Sequence, residues 1–230
     1  MQHFWELENL YTYAFLEIPS SPLILPQGAA NQVVLINGNE LAAIVEPGIL
    51  LESFQNNDEK IIKMALAHDR VICELFKQIT VLPLRFGTYF TSVNNLLNHL
   101  KSHKQEYQEK LEKINGKNEF TLKLIPRIIE EVPSEGGGKD YFLAKKQRYQ
   151  NQNNFLIAQA KEKQYLIDLI TKVNQLPVVI QEQEEEVRIY LLVSGQDKNL
   201  LLEQFLNWQK ACPRWDLILG DSLPPYHFIE

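Results

Sequence analysis

Short apolar runs and helically spaced apolar residues alternate along this chain, and together they predict an α+β protein. Residues 10–18 (Leu-Tyr-Thr-Tyr-Ala-Phe-Leu-Glu-Ile) are rich in aromatics, stop at Pro19 and read as a strand. A loop with Pro19, Pro22, Pro26 and Gly28 follows. Residues 33–36 and 41–45 are two more strands, with Asn37-Gly38 as the turn signal between them and Pro47-Gly48 closing the hairpin. Beyond Asp58, a helical cap candidate, Ile61, Ile62, Ala65, Leu66, His68, Ile72, Leu75, Phe76 and Ile79 recur three and four apart, which predicts one apolar helix face. The run Val81-Leu82-Pro83-Leu84-Arg85-Phe86-Gly87-Thr88-Tyr89-Phe90 reads as a buried strand with a tight bend at Gly87 and an edge at Pro83, which has no N–H for a ladder. Arg85 is the odd member. As a buried cation it needs a carboxylate or carbonyl partners, with Asp69 and Glu74 as the carboxylate candidates.

Ser92 caps a second helix that carries Val93, Leu96, Leu97, Leu100, Tyr107, Leu111 and Ile114 and ends at Asn115-Gly116. Residues 119–125 alternate Phe120, Leu122 and Leu124, a strand assigned here to the N-terminal sheet. Pro133, Ser134, Gly136, Gly137 and Gly138 then mark a linker. A long helix is expected over about 140–174. Its first half is basic (Lys145, Lys146, Arg148), and its second half is amphipathic through Phe155, Ala158, Tyr165, Leu166, Leu169, Ile170 and Val173. Strands at 177–180 and 187–193 flank an acidic turn, a short helix carries Leu200, Leu201, Phe205 and Trp208, and residues 215–219 form a last strand. Helix, strand, strand, helix, strand is most of a ferredoxin-like split βαβ unit, and the N-terminal half has a related order. The expected organisation is therefore two α+β domains, 1–130 and 140–220. Each is a modified ferredoxin-like sheet with helices packed on one face, joined by the glycine-rich linker 131–139. An extended C-terminal tail, 221–230, follows. Its adjacent Pro224 and Pro225 enforce an extended path, while Tyr226, Phe228 and Ile229 are apolar enough to fold back onto the chain or dock into a partner.

Charge and composition narrow the functional classes. A formal charge of −6 over 230 residues opposes nucleic-acid binding and attraction to anionic lipid. No apolar run nears the roughly 20 residues of a membrane span. The first residues lack a secretory pattern, so cytoplasmic synthesis without secretion is expected. Cys73 and Cys212 have neither zinc nor redox spacing. His68-Asp69-Arg70 is the most reactive-looking cluster, but neighbours on a helix point about 100° apart and do not converge on one substrate. His68 reads as a satisfied, partly buried histidine. His99 and His103 have a metal-compatible spacing without a third ligand and read as surface residues. Gly136-Gly137-Gly138-Lys139-Asp140 fails as a phosphate loop, because Pro133 holds the place of the earlier Gly and Asp140 that of the Ser or Thr. Glu182, Glu184, Glu185 and Glu186 are a solvated turn. Nothing here predicts an enzyme or a cofactor.

Four motifs in order carry a resemblance: His68-Asp69-Arg70-Val71, the run from Val81 to Thr88, Gly136-Gly137-Gly138-Lys139-Asp140-Tyr141, and Pro224-Pro225-Tyr226-His227-Phe228. Together they resemble the gas vesicle protein F/L family over nearly the whole chain. The family's Gly-Pro-Trp-Pro-Pro-Tyr-like tail is here Gly220-Asp221-Ser222-Leu223 before the prolines, and Lys139 stands where Arg is common. The resemblance implies a minor, accessory component of the gas vesicle, found with the vesicle and on its gas-facing side. Its implied partners are the major gas vesicle shell protein and other minor gas vesicle proteins, with no nucleic acid and no lipid membrane. Its implied task is to assist nucleation and assembly by limiting aggregation of the apolar shell subunit. Under that reading Lys145, Lys146 and Arg148 are expected to share a partner-binding face with Pro224, Pro225, Tyr226 and Phe228. His68, Asp69, Arg85, Gly87, Gly136, Gly137 and Gly138 are structural. The alternative from the fold expectation alone is a small-molecule- or nucleotide-binding regulatory module with tandem ferredoxin-like domains.

Overall fold

The computed structural model describes residues 7–49, 58–129, 139–183 and 186–229. The linker glycines Gly136, Gly137 and Gly138 lie outside them. The chain forms two compact units: Met1–Asn118 together with Leu223–Glu230, and Glu119–Ser222.

In the first unit, strand β1 (Glu8–Glu17) is central. It pairs antiparallel with β3 (Leu41–Glu46), which pairs in turn with β2 (Val34–Asn37). On its other edge β1 takes first the two-residue β4 (Leu82–Pro83) and then β5 (Tyr89–Ser92). Helix α1 (Asp58–Phe76) covers the face that carries Ala14, Leu16, Ala42 and Ile44. Helices α2 (Val93–Ser102) and α3 (Lys104–Ile114) cover the other face, where the Phe15 ring meets His99 and Tyr107. This corrects the expectation of helices on one face. All six residues of β3 are buried, and a strand that is apolar throughout rather than alternating needs a layer on both sides.

Three local departures have simple causes. Met64, His68, Val71, Ile72 and Leu75 form the buried face of α1, and Ile62 and Leu66 stay exposed. Apolar residues occur nearly all round this helix, so spacing alone leaves its rotation undetermined. The helix begun at Ser92, whose hydroxyl accepts from the Asn95 N–H, breaks at His103 into α2 and α3. Arg85 is exposed rather than buried: the bend after β4 is a turn closed by the Thr88 N–H on the Arg85 C=O, with Gly87 at φ +87°, and it lifts Arg85 and Phe86 out of the sheet. The expected burial of this cation is therefore corrected, and the bonds of Asp69 and Glu74 are described below.

The second unit holds β6 (Lys117–Pro126), α4 (Lys139–Asp168) continuing into a π-helical turn (Leu169–Val173), β7 (Val178–Glu182), β8 (Val187–Ser194), α5 (Lys198–Ala211) and β9 (Trp215–Leu219). The sheet order is β7-β8-β6-β9, with β7–β8 and β6–β9 antiparallel. The strand expected to finish the N-terminal sheet therefore pairs with β9 instead, Leu124 opposite Leu217. Alternation revealed its buried face but not which sheet it joins. Phe120, Leu122 and Leu124 pack with Leu166, Ile170 and Trp208 in one core. The C-terminal half of α4 is pinned by polar groups. Buried Gln159 donates to the C=O of Arg127 (3.1 Å) and of Arg214 (2.8 Å), while its own C=O accepts from the Trp215 indole (2.9 Å). Glu162 pairs with Arg214, which also stacks over Phe155.

Candidate functional site

A β-bulge organises the first unit. Between Thr12 and Ala14 the register on β3 shifts, so Tyr13 is the extra residue. Tyr11 and Tyr13 thereby share the α1 face with Ala14 and Leu16. The Tyr13 hydroxyl donates to the fully buried Glu46, at the end of β3. The Glu46 carboxylate also accepts from the backbone N–H of Ala29 (2.8 Å), Ala30 (2.7 Å) and Asn31. A buried carboxylate with four donors has its desolvation offset by charge-assisted bonds. Gly28 permits this wrap, since a Cβ there would collide with the carboxylate and stand 2.5 Å from the Asn31 C=O. Burial raises the Tyr13 hydroxyl pKa, and Glu46 raises it further.

The three adjacent residues of the α1 motif serve three different segments. His68 Nε2–H donates to the Leu84 C=O (3.0 Å), so Nδ1 is the acceptor for the Tyr11 hydroxyl (2.8 Å), which itself accepts from the Gly87 N–H (3.3 Å). This chain ties α1 to β1 and to the 84–87 turn. Burial lowers the His68 pKa, which keeps the ring neutral, and raises Tyr11 to about 12. Asp69 accepts from the Tyr226 hydroxyl (2.6 Å), fastening the C-terminal segment. Arg70 donates to the C=O of Gln27 (2.6 Å) and Gly28 (3.3 Å) and pairs with Glu74. The divergence of these side chains is the 100° helical step put to structural use.

Next to this junction lies a groove of about 540 Å³, lined by Phe15, Pro83, Leu84, His99, Tyr107, Tyr226 and Ile229 among others. His99 and His103 belong to this aromatic cluster and are half-buried, not free surface residues. Their rings are 4.3 Å apart, and His99 Nε2 meets the Tyr107 hydroxyl at 2.7 Å. The metal-compatible spacing is thus used for ring packing. Among the described residues no three His, Cys, Asp or Glu side chains group to hold a metal, and no helix is long and apolar enough to cross a membrane.

The residues expected to form a partner face divide between the two units. Pro224, Pro225 and Phe228 are buried in the first unit, and the Phe228 C=O accepts from Lys113 (3.0 Å). Tyr226–Phe228 is a 3₁₀ turn rather than extended chain. Lys145, Lys146 and Arg148 lie on α4 in the second unit, the two lysines exposed. Around them α4 exposes Phe142 (71%), Leu143 (58%), Tyr149 (62%), Leu156 (54%) and Ile157 (47%). Phe142, Tyr149 and Leu156 recur every seven residues and so share one stripe. From Phe142 to Leu156 it runs roughly 21 Å along the axis. The sequence singled out the basic residues but not this stripe. Nor did it single out Tyr11, Tyr13 or Glu46. Their one signal was an acid abutting the unbroken apolar run 41–45, easily taken for a strand boundary.

The chain superposes on gas vesicle protein GvpF from Anabaena sp. PCC7120 with a TM-score of 0.72 at 16% identity, covering 97% of this chain and 96% of that one. With GvpF from Microcystis aeruginosa the TM-score is 0.70 at 14% identity, with 96% and 99% covered. The chain thus shares the mixed α+β fold of those two proteins. In sequence, residues 9–230 match the family model for gas vesicle synthesis protein GvpL/GvpF, and the chain belongs to that family. Gas vesicle protein F1 of Halobacterium salinarum (strain ATCC 700922 / JCM 11081 / NRC-1) is 30% identical over 132 residues, 56% of this chain and 60% of the relative's length. Family membership implies a gas vesicle accessory role.

Proposed function

We propose that this chain binds the major gas vesicle shell protein and limits its aggregation while a vesicle nucleates. The observation that carries the reading is the exposed apolar stripe of α4, set among lysines, in a member of a gas vesicle synthesis family. Side chains such as Phe142, Tyr149 and Leu156 gain nothing from water, and a grouped patch of this kind marks an interaction surface. A shell subunit with an apolar face presents the matching hazard, and covering it suppresses wrong contacts. The strand order of the second unit supports reading it as a ferredoxin-like split βαβ sheet that includes β6, with α4 as its first crossover helix.

Co-expression tests the reading. The chain and the major shell protein are produced together, and the soluble shell protein and its co-purification are measured. The wild-type chain should raise the soluble fraction and retain shell protein. A Phe142→Ser, Leu143→Ser, Leu156→Ser variant should lose both effects while keeping its circular dichroism spectrum, since these side chains lie outside the core. Equal capture by wild type and variant would move the site elsewhere, and no capture by folded wild type would refute the binding function.

A further inference from the structure

We infer that the basic half of α4 is a receptor for a carboxylate: the partner inserts an acidic side chain between Lys145, Arg148 and two tyrosines while its neighbouring apolar residue packs on Phe142. This rests on the α4 reading above and names the chemistry of the partner segment. Tyr141, Lys145, Arg148, Tyr149 and Gln152 fall at i, i+4, i+7, i+8 and i+11, one helix face, and line a pocket of about 140 Å³. That is the space of roughly four or five water molecules, enough for one short side chain.

Two independent observations choose an anion as occupant. The first concerns Arg148. Its Nη2 is covered from solvent yet has no hydrogen-bond partner among the described residues. A covered guanidinium N–H without an acceptor is unfavourable, and a small turn of the side chain into the adjacent pocket brings it to an incoming oxygen. Lys145 is one helical turn away and supplies a second donor, and the tyrosine hydroxyls can donate further. The second is charge. From 139 to 161, α4 carries Lys139, Lys145, Lys146, Arg148 and Lys161 against the single acid Asp140, on a chain whose net charge is −6. The basic stretch is thus local to the apolar stripe. On the other side of Lys145, a shallow groove of about 470 Å³ holds Phe142, Lys146 and Tyr149. An apolar residue beside the carboxylate would rest there. The matching segment is acidic and apolar on one face, and a partner with a purely apolar face would leave the guanidinium unsatisfied.

The test uses the full-length chain and a dansyl-labelled, end-blocked helical peptide with Leu and Glu on one face, together with its Glu→Gln twin. Anisotropy titration at low salt should show the Glu peptide binding about tenfold or more tightly than the Gln twin. Arg148→Gln should abolish that preference, and Arg148→Lys should restore part of it, keeping the charge without the planar fork. The preference should shrink as salt rises. Equal binding of the two peptides, or an unchanged preference in Arg148→Gln, overturns the inference. So does a chain that ignores both peptides and binds vesicles of phosphatidylglycerol or a single-stranded oligonucleotide instead. Shell-protein capture at the wild-type level by Arg148→Gln overturns the carboxylate pocket and leaves the assembly reading standing. Arg148-dependent peptide binding by a chain that captures no shell protein overturns the assembly reading and supports the pocket.

Discussion

The Glu46 carboxylate offers the sharpest test of what holds the first unit together. It takes four donors: the Tyr13 hydroxyl and the amides of Ala29, Ala30 and Asn31. Hydrogen bonds to a charged group are worth about 1.5–3 kcal/mol each, and a freed, buried donor costs about 1–3 kcal/mol. Residues 29–31 are exposed on their outer side, so water can reach part of what a truncation releases. Ala29 also has the Tyr13 oxygen at 3.3 Å as a second acceptor. Glu46→Ala should therefore cost about 2–4 kcal/mol, below the sum of four full bonds but a large share of the 5–15 kcal/mol typical of a domain. Glu46→Gln should cost about 1–2 kcal/mol, because its NH₂ can donate to Tyr13 if that hydroxyl turns, while its oxygen keeps Ala30 and Asn31. Urea unfolding followed by far-ultraviolet circular dichroism gives the free energies, and hydrogen exchange at residues 29–31 localises the effect. Glu46→Ala costing under about 1 kcal/mol, with unchanged exchange at 29–31, would refute the claim that the carboxylate holds this loop.

Three further outcomes are expected. Tyr11→Phe leaves His68 Nδ1 without a donor and Gly87 N–H without an acceptor, so it should cost about 1–3 kcal/mol and speed exchange at Gly87; a cost within about 0.5 kcal/mol would contradict the relay. Burial depresses the His68 pKa, so the folded chain binds fewer protons than the unfolded one below about pH 6.5. Stability from this source is complete above that pH and lost as pH falls towards the folded value; half-buried His99 is shifted the same way. The urea midpoint should drop between pH 7.5 and 5.5, less steeply in His68→Gln, and a midpoint that rises would reverse the sign argument. Tyr226→Phe and Asp69→Ala should each cost roughly 0.5–1.5 kcal/mol and add to less than their sum in the double variant, because they remove one bond; full additivity would show that the pair does not interact.

How much of this was legible depended on whether a pattern had one solution. The strands around residues 10–18, 33–36 and 41–45 and the Ser92 cap were readable because local chemistry determines them. The unbroken run Leu41-Ala42-Ala43-Ile44-Val45 carried the sign of cover on both faces, which the expectation of helices on one face overlooked. The partner of β6 was not readable, since its alternation fits either sheet and only the pairing with β9 decides. The rotation of α1 was ambiguous for the same reason, until His68 found Tyr11 and Leu84. Glu46 was invisible because its donors come from a loop 15–17 residues away that has no sequence signature beyond Gly28. On α4 the charges were seen and the stripe was not, because Phe142, Tyr149 and Leu156 look like core residues until the absence of cover is known.

The grouping of Leu223–Glu230 with Met1–Asn118 makes the second unit an insertion within the first. No single cut of the polypeptide can separate the two. A fragment ending at residue 118 would lack the Asp69–Tyr226 bond and the apolar cover of Phe228, and would meet the ribosome exit with that gap unfilled. During synthesis the first unit must wait for all of residues 119–222 before its last strip emerges. The order of translation thus sets the order of completion: the unit that begins first is finished last.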